Sequence, residues 1–111
     1  MSTDANETIH WHKALDPDDL PEGRVTQATC DGTTVAITHY EGEYHAMANE
    51  CPHQGGPLGE GSIENGLLRC PWHGWDFYPD SGETPGEFDD CVETFPTEER
   101  EDGVYVGFPA E

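Results

Sequence analysis

Basic side chains are nearly missing from this 111-residue chain: Lys13, Arg24, Arg69 and Arg100 stand alone against 24 aspartates and glutamates, a net charge of −20. A field of that sign repels phosphate backbones, which excludes nucleic acid as a partner. Long apolar runs are missing too, and nothing approaches the ~20 residues that cross a bilayer. Met1 to Glu7 has neither the basic nor the apolar region of a secretory leader, so the expectation is a cytoplasmic protein with no membrane partner. The sequence also lacks a glycine-rich nicotinamide motif and any stretch of sustained helical period with caps. Apolar residues make up only 33% and mean hydropathy is −0.76, close to the disordered range of composition. Three tryptophans, four tyrosines, four phenylalanines and several alternating stretches argue instead for a folded core.

What is present reads as short strands between strong turns. Residues 1–8 are expected to be a flexible tail, and 9–111 a single domain. Ile9 to Leu15 reads as a strand with His10 and His12 on a solvated face, and Asp16 to Gly23 as a turn-rich connector. Asp31-Gly32 marks a hairpin between Arg24–Cys30 and Thr33–Tyr40. In its second arm Val35 and Ile37 alternate with Thr34, Ala36 and Thr38, the pattern of a half-buried strand. Glu41-Gly42 turns into Glu43–Asn49, where Tyr44, Ala46 and Ala48 share a face. His39 and His45 are read as structural or exposed. Glu64-Asn65-Gly66 turns into a short strand at Leu67–Arg69, Trp75–Tyr78 forms another, and Pro79–Glu87 is a loop. A strand beginning at Val92–Pro96 turns at Glu101-Asp102-Gly103 and returns as Val104–Phe108. The fold class is therefore all-β, in small antiparallel sheets or a compact barrel.

The chemistry concentrates between Cys51 and Trp75. The segments CPHQGGPLG at 51–59 and CPWHGW at 70–75 each offer one thiol and one imidazole, as C-x-H and C-x-x-H, with sixteen residues between His53 and Cys70. That spacing suits two loops at one end of a hairpin-like unit. Pro52, Pro57 and Pro71 stiffen the loops, while their glycines let backbone approach a buried group closely. Cys51, His53, Cys70 and His73 are the candidate ligands. Two cysteines and two histidines also make a tetrahedral zinc set, though zinc fingers pair cysteine with cysteine and histidine with histidine. Cys30 and Cys91, the remaining cysteines, read as small buried hydrophobes in a reducing compartment. Trp72, Trp75, Phe77 and Tyr78 read as packing around the ligand end.

These two segments, in this order and with this Pro/Gly context, resemble the cluster-binding signature of Rieske 2Fe-2S proteins, specifically the soluble Rieske ferredoxins. The resemblance implies a Rieske-like fold with the cluster loops as a subdomain at one end, and one 2Fe-2S cluster. Cys51 and Cys70 would hold one iron, His53 and His73 the other. It implies a one-electron carrier rather than an enzyme, linking a flavoprotein reductase to an oxygenase or another redox enzyme. The alternatives are the small subunit of an assimilatory nitrite reductase, a relative of the same fold that can lose the ligands, and, from a different class, a structural zinc-binding interaction module. High-potential Rieske proteins add a disulfide and hydroxyl groups around the cluster. Gly56, Trp72, Trp75 and Phe77 stand at those places here, so a low-potential member is expected, near −150 mV to zero within a family span of roughly −150 to +300 mV.

Acidity spread along the whole chain exceeds what one docking face needs, and points to a salt-rich, halophile-like setting. Repulsion among these charges reaches ~10 Å at 0.1 M salt and about 3 Å at 1 M. Melting temperature is therefore expected to rise steeply with KCl. A melting temperature that stays flat from low to molar salt contradicts this.

Overall fold

A three-strand meander forms the centre of the molecule: β2 (Arg24–Cys30), β3 (Thr33–Tyr40) and β4 (Glu43–Ala48), antiparallel throughout. The computed structural model describes residues 9–30, 32–50, 56–71, 76–84 and 92–109; the expected tail at 1–8 lies outside them. β1 (Ile9–Leu15) precedes the meander. After it come the short strands β5 (Ser62–Glu64), β6 (Leu67–Arg69), β7 (Asp76–Phe77) and β8 (Thr94–Phe95), and then β9 (Thr97–Arg100) and β10 (Gly103–Pro109). They assemble into three antiparallel sheets, ordered β1-β10-β9, β2-β3-β4-β8 and β5-β6-β7. The all-β expectation holds, and among the described residues the only helix is a 3-10 turn at Leu58–Glu60. Among the described residues no helix is long and apolar enough to cross a membrane.

β3 shows why the sheets stack. Val35, Ala36, Ile37 and Thr38 are each wholly buried, so the strand is not half-buried as its alternation suggested. Val35 and Ile37 point into one core with Leu15, Leu20, Ala46, Val104 and Val106. Ala36 points the other way, into a second core of Met47, Leu58, Leu68, Cys70, Phe77 and Val92. A small residue on what looked like the polar face lets the third sheet pack across it. The meander thus stands between two cores, and the sheet β5-β6-β7 closes the second.

Two further expectations change. The arm Ser62–Glu64 was not read as a strand, yet it pairs with Leu67–Arg69 across a tight turn in which Asn65 and Gly66 both have positive φ, 54° and 82°. Asn-Gly tolerates that conformation and matches the twist of a two-residue hairpin. The strand read as continuous from Val92 is broken at Pro96, which has no N–H for a ladder. β8 before it pairs with β4, and β9 after it pairs with β10, so the chain changes sheet there. Val104 and Val106 are buried and Phe108 half-buried, as expected.

The connector 16–23 is tied to the meander by polar contacts. His39 Nδ1 lies 2.8 Å from the Leu20 carbonyl, and its ring stacks on Tyr44 at 4.1 Å, which makes it structural. Glu22 accepts backbone N–H bonds from Gly42 and Glu41 at the β3–β4 turn, and these hold its carboxyl below the usual glutamate range. Stability from such a depressed group is fully present above its unfolded pKa, about 4.3, and is lost as pH falls through the lower folded value. The Glu22→Gln variant should melt below the wild type at neutral pH, with the gap closing under acid conditions. A gap in melting temperature that is independent of pH contradicts the assignment.

Candidate metal centre

The first candidate ligand loop begins where β4 ends. Ala48 donates its N–H to the Glu93 carbonyl at 2.8 Å, and the next residue, Asn49, holds both ends of the loop. Its carbonyl accepts the Leu58 N–H at 2.7 Å, its Oδ1 accepts the Gly59 N–H at 2.7 Å, and its Nδ2 donates to Gln27 Oε1 on β2 at 3.0 Å. Glu50 and Pro57 then face each other as an isolated antiparallel bridge. Whatever lies between them starts and finishes at one place.

The second loop is closed in the same manner by different chemistry. Arg69, the last residue of β6, lies opposite Asp76, the first residue of β7. Its Nε donates to Asp76 Oδ1 at 2.8 Å and its Nη2 to Oδ2 at 3.2 Å, the forked geometry that gives such pairs directionality. The Asp76 hydrogen bond, with the charge behind it, raises the Arg69 pKa further, so the guanidinium stays charged. Ser62 on β5 pairs with Arg69 from the other side. The end of the first loop and the two ends of the second therefore converge at the open end of the small sheet, while Asn65-Gly66 turns the hairpin at the opposite end.

Cys70 follows the clamp directly. It is 2% exposed and belongs to the same packed cluster as Leu58 from the first loop, Leu68 and Phe77. Such walls keep water from the Cys70 thiol. Cys51, His53 and His73, with Trp72 and Trp75, lie outside the described residues. Phe77 is fully buried as expected, but Tyr78 is 43% exposed and does not pack around the ligand end. Its backbone instead bonds Glu83 and Gly82 in the turn that follows. Cys30 is buried at the end of β2, where desolvation pushes its thiol pKa up and keeps it neutral, as a small hydrophobe. Cys91 lies outside the described residues. On β1, His10 is exposed, whereas His12 is half-buried with its ring against Phe108, so the solvated face holds for His10 alone. His45 is half-buried beside Glu43, at 3.3 Å.

Asn49 and the Arg69–Asp76 pair were missed by sequence reasoning. One signal was visible: an arginine is rare in this chain, and Arg69 stands immediately before a candidate ligand. Nothing marked Asn49, whose partners come from β2 and from the far end of its own loop.

The first loop also leans on β2 through Gly59. A Cβ there would lie 2.3 Å from Gln27 Cβ, 2.8 Å from Gln27 Cα and 2.9 Å from Asn49 Oδ1. Backbone is among the obstacles, so relief requires the loop to move. Gly59→Ala should cost about 1–3 kcal/mol in denaturant unfolding, in the range of overpacked cores, and should lower the iron content of purified protein. Wild-type stability and iron content in this variant would show that the close approach is dispensable.

The profile of the Rieske [2Fe-2S] domain matches residues 10–96. The ferredoxin component of the alkene monooxygenase system of Xanthobacter autotrophicus is 32% identical over 91 residues, covering 81% of this chain and 75% of that protein. Human apoptosis-inducing factor 3 is 34% identical over 91 residues, covering 79% of this chain, which spans only 15% of that much longer relative. Among solved structures, a protein described as an NADH-dependent nitrite reductase small subunit from Mycobacterium tuberculosis superposes with a TM-score of 0.84 over 94% of this chain and 99% of its own, at 23% identity, a likeness of fold. With the profile spanning most of the described strands and both ligand loops, this chain belongs to the Rieske [2Fe-2S] domain family.

Proposed function

We propose that the chain is a soluble one-electron carrier whose single 2Fe-2S cluster is held by Cys51 and Cys70 on one iron and by His53 and His73 on the other. The observation that carries this reading is the convergence of the two loops: Leu58 and Cys70 share one dry core, and both loops are closed at their ends. A donor set of two thiolates and two imidazoles in such loops fits the cluster family. When bound, the cluster supplies one reversible electron per cycle. The chain's own residues contribute closure of the loops, exclusion of water at Cys70 and a strongly anionic exterior. The loops at 51–59 and 70–75 are the ligand loops of a single domain at 9–111, preceded by a tail at 1–8.

The partners proposed are a flavoprotein reductase as donor and an oxygenase or another redox enzyme as acceptor, in the cytoplasm. Similarity to a monooxygenase ferredoxin component supports this assignment. A surface of −20 charge selects partners that present a basic face. The nitrite reductase small subunit remains the second reading, favoured by the likeness of fold; retention of all four candidate ligands favours the carrier. Capture of partners in molar KCl separates the two. The acidic composition supports a salt-rich setting.

Loss of sulfur-directed hydroxyls and of the loop disulfide supports the low-potential class. Protein produced with ample iron and sulfide should be red-brown, should show a paramagnetic signal on reduction, and should titrate between roughly −150 mV and zero. Colourless protein that carries zinc overturns the carrier reading. A midpoint above about +200 mV overturns the low-potential assignment alone.

A further inference from the structure

We infer that the Arg69–Asp76 pair is the positioning clamp of the second ligand loop, and that its two opposite charges set the electrostatic balance beside Cys70. The inference rests on the proposed ligation by Cys70.

The ladder that should hold this loop is very short. β6 and β7 share two residue pairs, Leu68 opposite Phe77 and Arg69 opposite Asp76. Two pairs of backbone partners make a marginal sheet, yet the loop must leave and re-enter at a fixed separation to place Cys70. The side chains of the terminal pair supply the missing constraint, with two N–H donors on one side and two carboxylate oxygens on the other. A half-exposed ion pair adds little to global stability. Its effect is expected at the loop and not in the melting temperature.

The charges matter for a second reason. The side chains of Arg69 and Asp76 are 43% and 22% exposed, so solvent screens Asp76 less than Arg69. Paired, the two charges cancel next to Cys70. Asp76→Asn leaves an unbalanced positive charge there, which favours the added electron and raises the midpoint. Arg69→Gln leaves an unbalanced negative charge and lowers it. A residue that served packing alone would not move the potential in opposite directions.

The test uses holoprotein in molar KCl and three variants: Arg69→Gln, Asp76→Asn, and the exchanged pair Arg69→Asp with Asp76→Arg. Each is measured for cluster release to a chelator, reduced-state paramagnetic signal and midpoint potential. Both single variants should release the cluster several-fold faster than wild type, with midpoints displaced to opposite sides of it. The exchanged pair, with its partners still opposite each other, should return release towards the wild-type rate. Should the single variants fail to load a cluster at all, loading by the exchanged pair supports the clamp and failure there overturns it. Wild-type release rates in both single variants, or midpoints displaced in the same direction, also overturn it. A wild-type protein without iron or signal would instead remove the ligation reading on which the clamp depends.

Discussion

The structure depends on one constraint: two loops, each carrying part of the candidate ligand set, are shut at their ends and packed against one buried apolar core. The first is shut by the backbone and side-chain amide of Asn49. Asn49 receives Leu58 and Gly59, and Glu50 faces Pro57. The second is shut by charge, through Arg69 and Asp76. Between them runs the hairpin β5–β6, whose Asn-Gly turn points the two loops to a common end.

That arrangement explains the double burial of the central meander. A sheet that packed on one side only would leave the small β5-β6-β7 sheet without a floor, and three strands of two or three residues cannot make a core alone. The face of β3 that carries Ala36 supplies the floor, together with Met47 on β4. The opposite face is closed by β1 and β10 through Leu15, Val104 and Val106. Leu58, Leu68, Cys70 and Phe77 therefore pack on a sheet that is anchored on its other face.

Charge acts on a different scale. Among the described residues, Lys13 is held by Asp16, Arg69 by Asp76 and Arg100 by Glu98. Lys13–Asp16 and Arg100–Glu98 are exposed and contribute little to stability. They do mute the scarce positive charge, leaving an exterior that is anionic almost without interruption. Such a surface steers a basic partner and depends on salt to remain compact. At the clamp, neutralisation serves the site itself.

The sequence alone determined the fold class, most turns and the candidate ligands, because these are local. Asp-Gly and Asn-Gly set hairpins through backbone sterics, and C-x-H with C-x-x-H is a short-range pattern that needs no partner to be recognised. Ser62–Glu64 escaped notice because three residues carry too little period to register. Thr38 and Ala36 looked solvent-facing because alternation describes one strand and says nothing of a second sheet laid across it. Tertiary structure alone decided the closures. Asn49 meets Gln27 from β2, Pro96 separates two sheets, and Arg69 finds Asp76 on the next strand. Each joins residues brought together by packing, and no pattern within a few residues encodes such a meeting.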